Sequence, residues 1–98
     1  MTIEQREELI ELYDLYYKLL TNKQREYFED YYFNNLSFSE MAEDYDVSRN
    51  AVFKQVHIVI NKLNEYESIL HLKEKKDKLN IILKDAPENI KNKIEEIM

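Results

Sequence analysis

The spacing of apolar residues along the chain predicts an all-α protein, a small helical bundle. In residues 3–19 apolar side chains recur at intervals of three and four, which places them on one face of an amphipathic helix. These are Leu9, Leu12, Tyr13, Tyr16 and Leu19, and Leu20 follows directly after the predicted helix. A second predicted helix carries Tyr27, Phe28, Tyr31 and Tyr32. It closes at Asn34 and Asn35, because Asn tolerates the left-handed conformation that ends many helices.

Polar residues that can cap a helix mark two of the predicted boundaries. Thr21 with Gln24, and Ser37 with Glu40, have the spacing of a capping box. In that arrangement each side chain hydrogen-bonds the backbone N–H of the other residue. The first box begins the helix that holds the second apolar stripe. The second begins a short helix that carries Met41 inward.

A third start, at Ser48, opens the longest predicted helix. No breaker follows until about residue 70, so we expect about 22 residues and a length of roughly 33 Å. One apolar stripe runs along it, formed by Val52, Val56, Val59, Leu63, Tyr66 and Leu70. Phe53, Ile58 and Ile60 point elsewhere. Apolar residues on more than one face indicate a helix that is buried on several sides.

Residues 37–56 together predict a helix-turn-helix. Residues 44–47 form a turn of the three to four residues that sets two helices at a steep angle, with Asp46 in the left-handed conformation. Met41, Val52 and Val56 are expected to be buried where the helices cross. In such a motif the N-terminal residues of the second helix reach base edges in the major groove. The candidate nucleic-acid-binding residues are Ser48, Arg49, Asn50, Phe53, Lys54 and His57. The same local pattern also occurs in helical bundles that bind no nucleic acid.

Charge is distributed unevenly along the chain. The net charge is −6, which opposes binding to phosphates. Residues 48–62, here called the acid-free segment, nevertheless carry Arg49, Lys54 and Lys62 and no acid. A basic stripe on an acidic body is typical of a nucleic-acid reader with a single docking face. Three basic residues on a solvated helix face are the ordinary alternative.

Composition excludes several classes of protein. A chain of 98 residues with 44% apolar content makes one domain, and its lack of Gly disfavours hairpins. Without Cys there is no disulfide or thiol chemistry. The two His residues lack neighbours at ligand spacing, so we expect no metal or cofactor. No catalytic constellation is present, and an enzyme is not expected. No apolar run could span a membrane and no signal peptide precedes the domain, so a cytoplasmic protein is expected.

The eight Tyr and four Phe residues are mostly expected in the core. Aromatic side chains can also stack on unpaired RNA bases. Tyr32, Phe33 and Phe38 lie close to the loop that leads into the motif. A stacking role for one of these three side chains is the alternative to burial.

The C-terminal part, residues 73–98, is predicted to be a helical extension of a helix-turn-helix domain formed by residues 1–72. A charged run at residues 73–78 should be solvated. Residues 85–88 mark a last helix start, with Asp85 as the cap and Pro87 in the first turn. Ile90, Ile94 and Ile97 follow at helical spacing. This helix either folds back over the long helix or leaves apolar surface on the long and first helices for a homodimer.

Residues 10–72 resemble the YlxM family of small bacterial proteins. The resemblance rests on Leu20-Thr21, Lys23-Gln24-Arg25, Tyr31-Tyr32, the block from Ser37 to Glu43, Val47-Ser48-Arg49, Tyr66-Glu67 and Leu70-His71-Leu72. It implies a fold like the DNA-binding fourth region of sigma factors. It also implies a role in, or regulation of, the signal recognition particle (SRP) pathway, because the family is encoded beside the GTPase genes of that particle. No catalytic residues come with it.

This chain departs from the family in the presumed recognition helix. Where the family tends to carry Tyr-Asp-Asn-Ile-Lys-Arg, residues 53–58 read Phe-Lys-Gln-Val-His-Ile. A basic pair has become His57 and Ile58, while Lys54 replaces an acid. Two functions therefore stay open. One is a DNA- or RNA-binding regulator or accessory of the SRP pathway. The other is a protein-interaction module that dimerises or docks on a partner GTPase.

Overall fold

The computed structural model describes residues 1–97 and confirms the all-α prediction. Six α-helices are present in these residues: α1 Ile3–Tyr16, α2 Asn22–Tyr32, α3 Phe38–Tyr45, α4 Arg49–Leu70, α5 Leu72–Leu83 and α6 Glu88–Ile97. Helix α4 has the predicted length of 22 residues. No helix in this part of the chain combines the length and apolarity needed to cross a membrane.

Both predicted capping boxes are formed. The side-chain oxygen of Thr21 accepts the N–H of Gln24 at 3.1 Å, and the Gln24 side chain accepts the N–H of Thr21 at 2.9 Å. Ser37 and Glu40 repeat this exchange, at 3.1 Å in both directions. Because each box satisfies two N–H groups that a helix start leaves unpaired, it fixes where α2 and α3 begin.

The two left-handed positions predicted from the sequence are also found. Asn35 has φ of 55° just after α2, and Asp46 has φ of 53° at the end of α3. Leu36 then packs against the core, as expected for the residue that follows such a helix end.

Helix α1 ends earlier than predicted. Its last turn, Tyr17–Leu19, is a 3₁₀-helix. Two side chains from other helices donate hydrogen bonds to carbonyl groups of this turn. Arg25 Nε donates to the Tyr17 carbonyl at 2.8 Å, and the Tyr66 hydroxyl donates to the Leu19 carbonyl at 3.3 Å. Such contacts between distant residues cannot be predicted from the local apolar pattern.

The core surrounds α4, which packs against α1, α2 and α3. The buried residues are Leu9, Leu12, Tyr13, Tyr16, Leu20, Tyr27, Phe28, Tyr32, Met41, Val52, Val56, Val59 and Leu63. Met41, Val52 and Val56 are 0%, 0% and 1% exposed, which confirms the predicted crossing of the motif helices. Leu70, the last member of the predicted stripe, is exposed instead.

Most aromatic side chains belong to the core, as predicted. Tyr13 and Phe28 stack with ring centroids 4.4 Å apart. Tyr32 is 3% exposed, and the Arg6 guanidinium lies over its ring. The stacking role considered for Tyr32 is therefore wrong, because its ring faces have no access to a base. Phe33 and Phe38 keep some exposed surface.

A single residue joins α4 to α5. His71 has φ of 54° and ends α4, its N–H donating to the Glu67 carbonyl at 2.8 Å. The Glu67 carboxylate accepts the second and third N–H groups of α5, from Lys73 at 3.0 Å and Glu74 at 3.1 Å, while the first, of Leu72, donates to the Tyr16 hydroxyl at 3.1 Å. The carboxylate also accepts the Tyr16 hydroxyl of α1 at 2.6 Å. One side chain thus caps α5 and ties it to α1 and α4.

Replacing Glu67 with Gln should loosen the junction of α4 and α5. Burial favours the neutral acid, yet hydrogen bonds from Tyr16 and from two backbone N–H groups hold the pKa of Glu67 below its ordinary value. A lowered pKa stabilises the fold above the ordinary value of about 4.3 and loses that contribution as pH falls through the lowered value. We expect a loss of about 1–2 kcal/mol at pH 7.

Thermal unfolding of the parent and Glu67→Gln between pH 7 and pH 3 would measure this contribution. The difference between the two proteins should be largest at neutral pH and should shrink in acid. Glu65→Gln, on the exposed side of the same turn, is the matched control. A constant difference across the pH range would contradict the capping role of the Glu67 carboxylate.

Helices α5 and α6 form a hairpin, here called the C-terminal hairpin, that adds no residue to the buried core. Lys73 of α5 holds it to α1 through an ion pair with Glu11 at 3.5 Å. The radius of gyration is 16.5 Å, against about 13 Å expected for a compact domain of this size. The hairpin therefore extends the molecule along one axis, to a longest dimension of 53 Å.

At the end of the chain, one of the two alternatives for the last helix and its predicted cap are wrong. Helix α6 does not fold back over α4; it returns along α5, where Lys91 Nζ donates to the Lys84 carbonyl at 3.2 Å. Asp85 does not cap α6, which begins three residues later at Glu88. Ala86 N–H donates to the Leu83 carbonyl at 3.0 Å. This closed turn occupies residues 83–86, so Asp85 lies before the helix rather than at its first free N–H groups.

Candidate nucleic-acid interface

The turn between α3 and α4 sets the geometry of the candidate interface. At the end of α3, Asp46 N–H donates to the Glu43 carbonyl at 3.2 Å, and Val47 N–H donates to the Ala42 carbonyl at 3.0 Å. The left-handed Asp46 reverses the chain direction, so that Ser48 can begin α4. The Ser48 hydroxyl accepts the N–H of Ala51 at 3.0 Å. Of the predicted site residues, Ser48 therefore has a structural role of its own.

A hydrogen bond between α2 and α3 holds the motif against the rest of the domain. The Tyr45 hydroxyl donates to the Asp30 carboxylate at 2.5 Å. Burial, together with this carboxylate, raises the pKa of the Tyr45 hydroxyl, so the group stays a neutral donor. Lys23 lies 4.0 Å from the centroid of the Tyr45 ring. The sequence does not predict the hydrogen bond between Tyr45 and Asp30, because the two residues belong to different helices.

Three predicted site residues lie on the outward face of α4. Successive residues of an α-helix turn by about 100°, so burial of Val52 and Val56 directs Asn50, Lys54 and His57 to the opposite side. All three are exposed. They are polar groups that a ligand approaching the motif can reach.

Arg49 and Phe53 lie at the edge of that face and contact residues of other helices. Phe53 meets the Phe38 ring edge-on at 5.8 Å, and the Arg49 guanidinium lies over Phe38 at 5.9 Å. Phe38 in turn stacks on Tyr31 at 4.6 Å, and His57 lies 4.2 Å from Phe53. These contacts bring three of the six candidates, Arg49, Phe53 and His57, together with a row of aromatic rings. The spacing of residues 49, 53 and 57 indicates their shared side, but nothing in the sequence indicates that Phe38 joins them.

Positive charge at the motif is confined to α4. The ion pairs found among residues 1–97 do not involve Arg49, Lys54 or Lys62. The preceding helix and turn expose four acids, Glu40, Glu43, Asp44 and Asp46. In helix-turn-helix complexes the first helix crosses the phosphate backbone. An acidic α3 opposes that contact, so any phosphate contact at the motif has to come from α4.

The outward face of α4 combines three kinds of chemistry. Arg49 offers a planar fork of donors suited to phosphate or to guanine, Asn50 an amide that can pair with adenine, and Lys54 a compact positive charge. Phe53 and Ile58 are 47% and 41% exposed and make part of the same surface apolar. Within the described residues no group of three or more His, Asp or Glu side chains is arranged to hold a metal ion.

These features define the class of the protein: a small helix-turn-helix protein whose second motif helix continues into a long rod. The chain belongs to the UPF0122 family, whose model, described as "Putative helix-turn-helix protein, YlxM / p13 like", matches residues 3–98. The match confirms the family that the sequence resembles. It also extends beyond residues 10–72, on which the resemblance rests, and includes the C-terminal hairpin.

Relatives from several bacteria support the assignment. A UPF0122 protein of Shouchella clausii is 48% identical over 64 residues, covering 65% of this chain and 59% of the relative. A probable UPF0122 protein of Mycoplasma mycoides is 42% identical over 77 residues, which cover 79% of this chain and 68% of that protein. A UPF0122 protein of Ureaplasma urealyticum is 49% identical over 72 residues, which cover 74% of this chain and 73% of that protein. The matched region thus spans about three fifths of the Shouchella relative.

Proposed function

We propose that this protein binds nucleic acid through the acid-free segment of α4 and acts as a regulatory or accessory protein of the SRP pathway. The observation that supports the binding is the outward face of α4. It exposes Arg49, Asn50, Lys54 and His57 beside one another, and no acid interrupts them. Contacts from Arg49 and Lys54 to phosphates would position the helix, and Asn50 would read a base edge.

The charge count limits the affinity of this interface. With three basic residues in the acid-free segment, at most about three phosphates are neutralised. That number corresponds to a slope of roughly −2 to −3 in log affinity against log salt. Repulsion by the acids of α3 weakens binding further. We therefore expect a weak, salt-sensitive contact that a second binding surface would have to strengthen.

The family supports the choice of pathway and ligand. The resemblance to YlxM proteins points to the SRP pathway. Phe53 and His57 are exposed and could stack on unpaired bases. SRP RNA and a DNA duplex are therefore the two ligands to compare.

A binding titration at two salt concentrations tests the proposal. We expect fluorescence anisotropy to show binding of labelled SRP RNA or of a DNA duplex at 50 mM salt. Affinity should fall about fifteenfold to sixtyfold at 200 mM, as a slope of −2 to −3 predicts. Absence of binding to either ligand at 50 mM salt would reject the nucleic-acid function.

A second candidate function is supported by the apolar part of the same surface. Phe53 and Ile58 are exposed in the centre of the presumed recognition helix, where a strongly basic surface would serve phosphate binding better. A protein-interaction module that docks on a GTPase of the SRP would use these side chains. Binding to such a GTPase that depends on Phe53 and Ile58 and changes little with salt would favour this function.

Two further sequence predictions are retained as proposals. One is the division into a helix-turn-helix domain of residues 1–72 and an extension from residue 73. The other is a homodimer, although its surface differs from the one first expected. The apolar stripes of α1 and α4 are mostly buried within the protomer, with only Leu19 and Leu70 exposed at their ends, so most of this surface is not free to contact a second copy.

A further inference from the structure

The C-terminal hairpin presents an apolar edge that nothing else in the described chain covers. In α6, Ile90 and Ile97 are 43% and 84% exposed. Ile94 is partly buried and lines a groove against Leu83 of α5. Since these residues are spaced by four and three, all three isoleucines lie on one side of α6. Ile94 faces the hairpin, and Ile90 and Ile97 form the open edge beside it.

We propose that this edge of α6 binds a second copy of the same chain, with the two α6 helices antiparallel about a two-fold axis. A two-fold axis that passes between residues 93 and 94 places Ile90 of one protomer opposite Ile97 of its partner, and Ile97 opposite Ile90. In such an isologous contact every pair occurs twice.

The charges that flank this edge indicate the antiparallel orientation. Lys93 and Glu96 are both exposed and lie on the same side of the isoleucine edge. In the antiparallel arrangement Lys93 of one protomer comes close to Glu96 of the other, and the symmetry provides the pair twice. A parallel two-fold arrangement would instead place the flank with Lys93 and Glu96 on opposite sides of the contact in the two protomers, so this pair could not form. Charges on the flanks of paired helices set orientation in this way.

The C-terminal hairpin has no buried core of its own, which also favours self-association. Helices α5 and α6 have no buried residue between them, although α5 also exposes Ile81 and Ile82. Two such hairpins together provide the four helices of a bundle. Helices of 12 and 10 residues are short for a stable interface of about 1,200–2,000 Å². We therefore expect a reversible equilibrium between monomer and dimer.

Sedimentation or light scattering of the full chain, without nucleic acid, measures this association. Over a hundredfold range of concentration the average mass should rise from 12.0 kDa toward twice that value. Lys93→Glu and Glu96→Lys should each raise the dissociation constant about tenfold, because each substitution creates two like-charge contacts. The double variant, which exchanges the two charges, should restore the affinity of the parent.

Control variants distinguish this interface from contacts elsewhere on the molecule. Lys75→Glu makes the same change of charge at an exposed position of α5 and should leave the mass curve unchanged. Ile58→Lys tests the outward face of α4 in the same assay and should also have no effect. Circular dichroism checks that helical content is kept in each variant.

A mass that stays at that of the monomer throughout would overturn the proposal. So would weakening by Ile58→Lys together with no effect of the α6 variants, since this result would place the contact on α4. Failure of the charge-exchanged double variant to restore dimerisation would exclude the antiparallel pairing. None of these outcomes depends on nucleic-acid binding, so the failure of either proposal can be recognised separately.

Discussion

Replacing both Arg49 and Lys54 with Glu is expected to reduce nucleic-acid affinity at least about a hundredfold at 50 mM salt. Both side chains lie in the first turns of α4, at the edge and on the outward face. The double substitution removes two positive charges and adds two negative ones beside the acids of α3. Every phosphate contact of the motif would then be repulsive. Anisotropy titrations with SRP RNA and with a DNA duplex would measure the loss.

The matched control for this variant makes the same change of net charge at two positions outside the motif. Lys75 and Lys84 are exposed on and after α5, and converting both to Glu gives the same net charge. If nucleic acid contacts α4, the control should bind within a few-fold of the parent. Equal losses in the two variants would show that overall charge, rather than the motif, governs binding. Parental affinity in the Arg49 and Lys54 variant would disprove the role of α4.

Replacing Val56 with Asp is expected to unfold the domain. Val56 is 1% exposed and lies in the middle of the α4 stripe that α1, α2 and α3 surround. An unpaired carboxylate there costs on the order of 4 kcal/mol or more, which is a large part of the total stability of a small domain. A cost of that size lowers the melting temperature by about 20 °C or more. Thermal unfolding followed by circular dichroism would measure it.

Ile58 provides the control for this prediction, because it is also a β-branched residue of α4 but lies on the exposed face. Ile58→Asp should change the melting temperature by only a few degrees. If the two variants melt at similar temperatures, the buried and exposed faces of α4 have been assigned wrongly.

The beginnings of α2, α3 and α4, and the left-handed residues that follow α2 and α3, could be predicted because their determinants are local; the predicted turn of residues 44–47 is wrong in its first half, since α3 continues to Tyr45. Ser37 and Glu40 are three residues apart, and the left-handed Asp46 follows directly after α3. The buried stripe of α4 was predictable for the same reason. Its apolar residues repeat with the period of the helix, and the core forms on that side. The outward position of Asn50 and Lys54 then follows from geometry.

Contacts between residues far apart in the chain could not be predicted in this way. The Tyr16 hydroxyl and the Glu67 carboxylate are separated by 51 residues, and their hydrogen bond helps decide how α5 leaves α4. The packing of Phe38 against Phe53 similarly depends on the angle between α3 and α4. The apolar pattern of α6 predicted one apolar side, but it could not indicate whether α4, α5 or a second protomer would contact that side.

Because α4 is one continuous helix, its length fixes the relative position of its two ends, and this affects how the protein can evolve and act. One end of this helix carries the candidate interface, and the other carries Glu67, which orients the hairpin. Each residue added to or removed from the middle of α4 would rotate one end relative to the other by about 100° and shift it by about 1.5 Å. In a symmetric dimer joined at the hairpins, the length of α4 would thus act as a ruler. It would set both the spacing and the rotational phase of the two reading surfaces along a nucleic acid.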